Sequence, residues 1–330
     1  MKIAVVAAGA WGTALSVAFS ERHETCLWTR EAEVIREMQS RRENSRFLPG
    51  IHLPESLCIE EDLGTALNAR DLIIVAAPLV GLRDTLQRMR EVAGTPACLV
   101  WVCKGFEPGS GKLPHQVVEE EFGADLPCGV LTGPSFAEEV AKGLPMAATL
   151  ASRDGDFART VAAELHGSRF RLYANEDLVG AEVGGAVKNV MAIAAGISDG
   201  LGFGLNARAA LMTRGLAEIA RLGVALGGKA GTFMGLAGMG DLILTCTGDL
   251  SRNRRVGLEL VKGRGLEDIL AELGHVVEGV STAREVARLA AAKGIDMPIT
   301  EAVDTILSRG ERAADVVERL LSRDPKVEGA

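Results

Sequence analysis

The sequence of 330 residues is long enough for two domains of ordinary size, each with a hydrophobic core of its own. Hydrophobic residues make up 47% of the chain and charged residues 24%, which is typical of a folded globular protein and excludes an intrinsically disordered one. The formal net charge of -8 argues against nucleic acid or an anionic membrane as a partner, because both bind broad basic surfaces.

The first half of the sequence alternates between strand-like and helix-like segments. Strands are predicted at residues 2–7, 25–29, 71–77, 97–103, 128–131, 146–152 and 169–173. A helix is predicted after the first strand, and further helices near residues 31–41, 81–92 and 113–122. This alternation predicts an α/β fold with an N-terminal Rossmann-type, doubly wound parallel sheet.

The pattern changes after about residue 177, where β-branched runs stop and helical periodicity begins. Helices are predicted at residues 206–226, 251–263, 266–273, 281–293, 300–308 and 312–321. We therefore predict a dinucleotide-binding Rossmann domain over residues 1–180 and an all-helical substrate and catalytic domain over residues 181–330.

The cysteines favour free thiols over a disulfide framework. They are Cys26, Cys58, Cys98, Cys103, Cys128 and Cys246. They form no CxxC pair and no His/Cys spacing suited to zinc, and they fall mostly in predicted strands. We therefore expect buried free thiols in a reducing compartment, and no metal site.

No segment of the sequence predicts export or membrane insertion. Lys2 and the apolar run at residues 3–19 imitate a signal peptide, but the glycines of that run fall where a nucleotide-binding turn needs them. No run of about 18 apolar residues suggests a membrane span.

The turn after the first strand is a candidate dinucleotide site. Residues 7–12, AAGAWG, stand in the place of a G-x-G-x-x-G fingerprint, with Ala7 at its first glycine position. Gly9 would let the backbone approach a pyrophosphate, and Gly12 would let the helix pack closely on the strand. The helix N-terminus would supply N–H donors. An ordinary strand-to-helix turn is the alternative.

The end of the second predicted strand bears on which nicotinamide cofactor binds. An acidic residue there binds the adenosine ribose hydroxyls, whereas an arginine favours the 2′-phosphate of NADPH. Arg30 favours NADPH, and Glu31 beside it leaves NADH open. The two residues could also begin a helix without contacting a ligand.

Two loops follow later strands of the predicted sheet. Lys104 comes directly after the strand at 97–103, and GPSFA at 133–137 follows the strand at 128–131. Ligands of doubly wound sheets bind outside the carboxyl ends of the strands, so Lys104 is placed to meet cofactor or substrate. The second loop could offer N–H groups and a hydroxyl to an anion. Either could also be an ordinary solvated loop.

The helical half contains an isolated lysine in an apolar run. Lys188 is the only charged residue between Glu182 and Asp199, within GGAVKNVMAIAAG at 184–196. A lysine in apolar surroundings has a tunable pKa and can deliver a proton. We therefore predict that Lys188 is a general acid/base. The alternative is an interface lysine whose ammonium reaches water.

The same half contains a candidate phosphate site in SRNRR at 251–255, after GMGD at 238–241. Ser251 is a good N-cap, and the N-terminus of its helix, with Arg252 and Asn253, could hold a phosphate. A local group of cations would explain how an acidic protein binds anionic ligands. The alternative is a basic, solvated helix face.

Several stretches together resemble the NAD(P)-dependent glycerol-3-phosphate dehydrogenases of bacteria. They are AWGTALS at 10–16, RFLPGIHLP at 46–54, CKGFE at 103–107, LTGPSFAEEVAKGLP at 131–145, GAVKNVMAIAAGISDGLGFGLNARAALMTRGLAEIARLG at 185–223 and GLAGMGDLILTCTGDLSRNRRVG at 235–257. They span most of the chain in the family's order. Two residues depart from the family pattern: Ala7 replaces the first fingerprint glycine, which bears on cofactor affinity, and Met146 replaces a common threonine, which bears on packing.

The resemblance implies a cytoplasmic enzyme, usually a homodimer, that reduces dihydroxyacetone phosphate to sn-glycerol 3-phosphate with NADPH or NADH and feeds glycerophospholipid synthesis. It implies that Lys188 is the catalytic residue. The substrate-binding positions that it implies are Lys104, Gly133, Ser135, Asp241, Ser251, Arg252 and Asn253. The cofactor-binding positions that it implies, beside Gly9 and Gly12 of the fingerprint, are Ala10, Trp11, Arg30, Lys104, Ala137, Arg252, Val276 and Glu278.

The residues themselves suggest a matching mechanism. Hydride transfer to a ketone carbon leaves negative charge on the carbonyl oxygen, which a proton or a cation must neutralise. Lys188 as an ammonium can donate the proton, Lys104 can add electrostatic stabilisation, and Asp241 can orient one of the two lysines. Two alternatives remain: a dehydrogenase of a different, non-phosphorylated hydroxy acid, and a non-catalytic dinucleotide sensor.

Overall fold

The computed structural model describes residues 1–274 and 276–323. Its strands are β1 (Lys2–Val6), β2 (Glu24–Trp28), β3 (Glu43–Asn44), β4 (Leu48–His52), β5 (Cys58–Glu60), β6 (Leu72–Val75), β7 (Leu99–Trp101), β8 (Cys128–Thr132), β9 (Met146–Ala151) and β10 (Phe170–Asn175). Every strand predicted from the sequence is present. The hairpin of β3 and β4 and the three-residue β5 were not predicted.

The helices of the first half connect these strands. They are α1 (Ala10–Ser20), α2 (Ala32–Arg41), α3 (Leu63–Leu67), α4 (Leu82–Ala93), α5 (Pro114–Phe122), α6 (Ala137–Ala141) and α7 (Gly155–Leu165). The helices of the second half are α8 (Leu178–Gly200), α9 (Gly204–Ala225), α10 (Ala230–Phe233), α11 (Asp241–Thr247), α12 (Arg252–Val261), α13 (Leu266–Leu273), α14 (Glu278–Lys293), α15 (Pro298–Arg309) and α16 (Ala313–Leu321). A π-helical turn, Leu236–Gly240, leads directly into α11.

Eight strands form one sheet in the order β10-β9-β8-β7-β6-β1-β2-β5. The predicted α/β class and the helical second half are confirmed. The expectation of an entirely parallel sheet is wrong at one edge, because β9 pairs antiparallel with β8. The connection between these strands holds only the five-residue α6, which is too short to cross a face of the sheet. The longer α7 does make that crossing, so β10 is parallel to β9.

Alternation along the strands divides the core of the first half between the two faces of the sheet. Ile3 and Val5 of β1 belong to one buried cluster, and Ala4 and Val6 belong to the other. Because helices cover both faces, the central strands are apolar throughout, as the sequence run KIAVV shows. This layering leaves the carboxyl ends of the strands as the place where a ligand can enter.

Helix α8 is the central element of the second half and is buried almost throughout. It packs closely on α12, because glycines remove the side chains between the two backbones. A Cβ on Gly196 would lie 2.0 Å from the carbonyl oxygen of Arg254, and one on Gly257 would lie 2.1 Å from that of Ile193. The two helices are therefore in direct backbone contact.

Helix α8 also has the length and hydropathy of a membrane span, which the sequence analysis did not anticipate. However, 94% of its apolar window is buried inside the protein, as in the core helix of a globular fold. The helix begins at Leu178, close to the predicted boundary at residue 180. The division into domains at that residue stays a prediction, and residues 324–330 of the predicted helical domain lie outside the described residues.

All six cysteines are free thiols. The expectation of burial holds for Cys26, Cys103 and Cys246. It is wrong for Cys58, which is exposed, and for Cys98 and Cys128, which are half-buried. Cys58 is exposed because it lies in β5 at the edge of the sheet.

Candidate active site

The carboxyl ends of the central strands open onto a cleft of about 1220 Å³. Its walls come from both halves of the chain: the turn after β1, the end of β2 and the loop after β7 on one side, and α8, α11, α12 and the start of α14 on the other. A cleft between an α/β sheet and a second group of helices is a common place for a small-molecule site.

The first turn has the geometry that a dinucleotide needs. A Cβ on Gly12 would lie 2.1 Å from the carbonyl oxygen of Ala7, so only glycine fits there. A Cβ on Gly9 would meet no protein atom, which leaves open space beside the backbone. Gly9 is the N-cap of α1 and has no side chain to bond the first N–H groups, so those of Ala10 and Trp11 are available to an anion.

Ala7 keeps the turn despite replacing a glycine. Its φ of 84° is in the left-handed region, which costs an alanine about 1–2 kcal/mol. Its N–H donates a 2.8 Å hydrogen bond to the carbonyl oxygen of Trp28, so the turn is tied to the end of β2. The turn therefore forms with alanine in place of the first fingerprint glycine, and an effect of Ala7 on cofactor affinity stays a prediction.

Arg30 and Glu31 both line the cleft beyond β2. The Arg30 side chain is 69% exposed and contacts Glu31 through Nε, at 3.5 Å from Oε1. Glu31 also accepts a hydrogen bond from Thr29. The carboxylate is thus engaged by its neighbours, while the Arg30 guanidinium is largely exposed at the cleft.

Lys188 projects from α8 to the N-terminus of α11. Its Nζ donates hydrogen bonds to Asp241 Oδ1 at 2.5 Å and to Thr245 Oγ1 at 2.7 Å. The lysine is only 7% exposed, yet it lines the cleft. The prediction of a lysine in apolar surroundings is thus confirmed in its burial, and the ammonium is paired rather than directed to bulk water.

Asp241 also binds a second lysine. Lys104 Nζ, from the loop after β7, donates to Asp241 Oδ2 at 2.6 Å. Asp241 is 1% exposed, so one buried carboxylate holds two ammonium groups at one wall of the cleft. The sequence suggested that Asp241 orients one of the lysines, and the structure shows that it contacts both.

The charges in this cluster perturb one another. Burial, and to a lesser extent the neighbouring charge of Lys104, lower the pKa of Lys188 to about 8 against the opposing effect of Asp241. Burial alone would raise the pKa of Asp241, but the two ammonium groups outweigh it and hold that pKa below its usual range. At neutral pH the cluster therefore consists of a carboxylate and a lysine that can give up its proton.

The loop after β8 fixes Lys104 from the other side. Lys104 Nζ lies 3.5 Å from the carbonyl oxygen of Gly133, which also accepts a 3.0 Å hydrogen bond from Ser135 Oγ. Gly133 has a φ of 137°, and a Cβ there would lie 3.0 Å from Ala148 Cα, so the residue must be glycine. Gly133 itself does not line the cleft, whereas Ser135 and Ala137 do. Its role here is to shape the loop.

The candidate phosphate site lies at the start of α12. Ser251 Oγ accepts a hydrogen bond from the N–H of Arg254 at 3.3 Å, which confirms it as the N-cap. Of the three arginines, Arg252 lines the cleft. Arg254 instead binds Asp199 at 2.8 Å, and Arg255 forms an exposed pair with Glu272. The basic run therefore gives one arginine to the cleft and uses the others to anchor the helix.

Asn253 joins three helices around the cleft. Its Nδ2 donates to Asn189 Oδ1 at 3.0 Å, and its Oδ1 accepts from the N–H of Gly279 at 3.0 Å. Asn189 in turn lies 3.4 Å from Glu278 Oε2. Burial raises the pKa of Glu278, although the charges of Arg252 and the two lysines oppose this. Val276, also predicted, lines the same wall and is exposed.

Among the cleft residues that were not predicted, Asn189 and Thr245 lie beside the predicted ones, since Thr245 bonds Lys188 and Asn189 bonds Asn253. Thr245 lies four residues after Asp241, a spacing that places both on one helix face. Asn189 directly follows Lys188. Both signals were available in the sequence. All predicted site residues except Gly12 and Gly133 line the cleft, and no three His, Cys, Asp or Glu residues of the described chain are grouped to hold a metal ion.

Comparison with known families identifies the family of the chain. The model of the NAD-dependent glycerol-3-phosphate dehydrogenase N-terminus matches residues 2–158, and that of the C-terminus of the same dehydrogenase matches residues 177–318. The chain belongs to this family. As a member of the glycerol-3-phosphate dehydrogenases, it is an NAD(P)-dependent oxidoreductase.

Relatives of this family match over nearly the whole chain. The glycerol-3-phosphate dehydrogenase [NAD(P)+] of Dechloromonas aromatica is 61% identical, with 99% of each chain covered. That of Aromatoleum aromaticum is 60% identical over 99% of this chain and 100% of the relative. The crystal structure of the glycerol-3-phosphate dehydrogenase of Coxiella burnetii superposes with a TM-score of 0.93 at 42% identity, covering 97% of this chain and 98% of the other.

Proposed function

We propose that the protein reduces dihydroxyacetone phosphate to sn-glycerol 3-phosphate with NAD(P)H, and that Lys188 is the general acid. The observation that carries this proposal is the buried cluster in which Asp241 holds Lys188 and Lys104 at the cleft wall. A proton donor and a second cation meet there beside an arginine suited to phosphate. A sensor without catalysis needs no such donor.

The cleft fits a nicotinamide dinucleotide. The free N–H groups at the start of α1 and the open space beside Gly9 suit a pyrophosphate, and Arg30 suits the adenosine ribose or its phosphate. Ala137, Arg252, Val276 and Glu278 complete the proposed cofactor wall. When bound, the cofactor supplies the hydride that reduces the ketone carbon.

The chain's own residues handle the charge on the ketone oxygen. Lys188 donates its proton to this oxygen, and in the reverse direction its neutral amine takes the proton from the hydroxyl. Lys104 stabilises the developing negative charge, and Asp241 keeps both lysines in place while it remains ionised. Thr245 Oγ1 holds Lys188 from a second direction and so limits the positions that its ammonium can occupy.

The substrate phosphate is bound at α12 in this proposal. Arg252 supplies a charge-assisted contact, and the N-terminus of α12 behind Ser251 adds its partial positive charge. Asn253, Ser135 and the loop shaped by Gly133 complete the substrate wall. The positive charge of Arg252 and of the helix N-terminus supports binding of an anion in this cleft by a chain of net charge -8.

Four further parts of the proposal rest mainly on family membership. The protein is a homodimer, acts in the cytoplasm, feeds glycerophospholipid synthesis, and divides near residue 180 into a cofactor half and a catalytic half. The last part is supported by the start of α8 at Leu178 and by the two family matches, the first of which ends at residue 158 and the second of which begins at residue 177.

The direct test is the absorbance of reduced nicotinamide with purified protein and dihydroxyacetone phosphate, run with NADPH and NADH in parallel. Oxidation of either cofactor, with sn-glycerol 3-phosphate as the product, is the expected result. Turnover of a non-phosphorylated keto acid in its place would overturn the substrate assignment. Tight nucleotide binding without turnover of any ketose phosphate would support the sensor instead.

A further inference from the structure

Two free thiols face each other at the edge of the sheet. Cys26 of β2 and Cys58 of β5 are register partners, and their Sγ atoms are 3.3 Å apart. Neighbouring strands are separated by about 4.8 Å, which is within the Cα range of about 4.4–6.8 Å that a disulfide requires. The Cα spacing is therefore within the range for a disulfide, and only the two sulfur atoms, at 3.3 Å, still have to approach each other.

The two thiols differ in access. Cys58 is exposed, so a dissolved oxidant can reach it, whereas Cys26 is buried. Burial, together with the hydrogen bond to Cys58, raises the pKa of Cys26 well above its usual value, so Cys26 is a poor first target for an oxidant. An accessible cysteine beside a second one that resolves it is the arrangement of a redox-sensitive site.

The pair lies next to the cofactor wall and belongs to the sheet, not to the lysine cluster. Trp28 is two residues beyond Cys26, pairs with Glu60 of β5, and donates a 3.1 Å hydrogen bond from Nε1 to the carbonyl oxygen of Glu61. Trp28 and Arg30 both line the cleft. Any movement of β5 is therefore transmitted to the part of the wall proposed to hold the adenosine end of the cofactor.

We infer that Cys26 and Cys58 form a reversible disulfide when the protein meets a peroxide, and that this bridge weakens binding of NAD(P)H. The Cys58 sulfur attacks one peroxide oxygen, the O–O bond breaks, and Cys58 becomes a sulfenic acid as water leaves. The Cys26 sulfur then attacks that sulfur, the S–O bond breaks, and a second water carries away the remaining oxygen. Two thiols lose two electrons and two protons, and the peroxide is reduced to water.

The direction of the effect follows from the strand order. Bond formation requires the sulfurs to approach by more than about 1 Å, from 3.3 Å to the disulfide length. Strand β2 is held by β1 on its other side, whereas β5 is the edge strand, so β5 takes up the part of this approach that rotation of the two side chains does not supply. That movement shifts the Glu61 carbonyl that holds Trp28, and displacements of about 1 Å in a binding wall are costly. An exposed bond of this kind is readily reduced again by a dithiol.

The test is treatment of the reduced protein with hydrogen peroxide, followed by peptide mapping and by titration with NADPH monitored by tryptophan fluorescence. Wild-type protein should lose the mass of two hydrogen atoms, yield a peptide joining Cys26 to Cys58, and bind NADPH several-fold more weakly, with recovery in dithiothreitol. Cys58→Ser should keep its affinity under the same treatment. Cys98→Ser is the matched control, because the Cys98 thiol bonds the Asp71 carbonyl at 3.0 Å and no second thiol, and it should respond as wild type does.

Two results would overturn the inference. One is oxidation of Cys58 to sulfinic acid without a bridged peptide. The other is a bridged protein whose NADPH affinity equals that of the reduced form. Both readouts are independent of turnover, so failure of the proposed reductase activity would be recognised separately.

Discussion

Lys188 Nζ lies 2.5 Å from Oδ1 of Asp241, and both groups are almost completely removed from solvent. A buried ammonium without a partner would lose its proton, and a buried carboxylate without one would gain it. Each group therefore maintains the charge of the other, and Lys104 on the second carboxylate oxygen makes the cluster net cationic where a carbonyl oxygen is proposed to gain charge.

Replacement of Lys188 by alanine should remove the proton donor. A general acid contributes about 10² to 10⁴ in rate, so Lys188→Ala should lose turnover by that factor while its Kd for NADPH stays that of the wild type. Steady-state rates and a fluorescence titration measure the two quantities. A variant that reduces dihydroxyacetone phosphate at the wild-type rate would show that the proton comes from elsewhere.

The pH dependence should report the lysine. Reduction needs the ammonium form, so kcat/KM for dihydroxyacetone phosphate should fall as the pH rises through about 8, the pKa of buried Lys188. Oxidation of sn-glycerol 3-phosphate needs the neutral amine and should rise over the same range. Equal profiles for the two directions would contradict this role.

Removal of the negative charge of Asp241 should move that profile. Asp241 raises the pKa of Lys188 and Lys104 lowers it, so Asp241→Asn leaves two cations without their counter-charge. The falling limb of the reduction profile should therefore shift to lower pH, along with a loss in kcat. Thr245→Val, which removes only a neutral hydrogen-bond partner of Lys188, should lower kcat with a much smaller shift and is the matched comparison.

Arg252 and Arg255 allow the phosphate site to be tested with two neighbouring arginines. A hydrogen bond to a charged group is worth about 1.5–3 kcal/mol, so Arg252→Ala should raise KM for dihydroxyacetone phosphate by roughly 10- to 150-fold. Arg255→Ala removes the same side chain from an exposed pair with Glu272 and should leave KM unchanged. An unchanged KM in Arg252→Ala would place the phosphate elsewhere.

Replacement of Ala7 by glycine should stabilise the protein. The left-handed φ costs an alanine about 1–2 kcal/mol, which Ala7→Gly would remove. The greater conformational entropy of glycine in the unfolded chain offsets this gain by about 0.4–1 kcal/mol. Ala7→Gly should therefore raise the free energy of unfolding by up to about 1.6 kcal/mol. Ala8→Gly, at a buried residue of ordinary φ, should lower it by about 0.5–1 kcal/mol. Urea denaturation of both variants measures the difference.

Features encoded by local sequence were predictable. The run before Gly9 gives a buried strand, and the glycines after it give the turn, because both depend on neighbouring residues only. Lys188 was identifiable as unusual because it is the single charge in an apolar run, and its burial at the cleft wall agrees with that pattern, while its catalytic role stays a prediction. Positions such as Val276 and Glu278 came only from the family resemblance, since no local pattern distinguishes them.

Features that depend on pairing between distant segments were not predictable. Strand β9 has an apolar run like that of its neighbours, and its direction is set by the short connection through α6. Cys58 lies in a strand of three residues whose partner is 32 residues away, so neither the strand nor the thiol pair has a local signal. The same holds for the simultaneous contact of Asp241 with both lysines, of which the sequence suggested only one, because the three elements are distant in sequence.

The direct backbone contact between α8 and α12 has a consequence for which ketones are accepted. Lys188 is on one of these helices and Arg252 begins the other, so the contacts at Gly196 and Gly257 fix the spacing of the two backbones that carry the proposed proton donor and the proposed phosphate anchor. The cleft therefore holds the groups proposed to contact the two ends of the substrate at a set spacing. A ketose phosphate with a longer carbon chain would have to bend or lose its contact with Lys188 or Arg252. In this proposal the backbones of two helices select substrate length, and not a side chain that a single substitution could shorten.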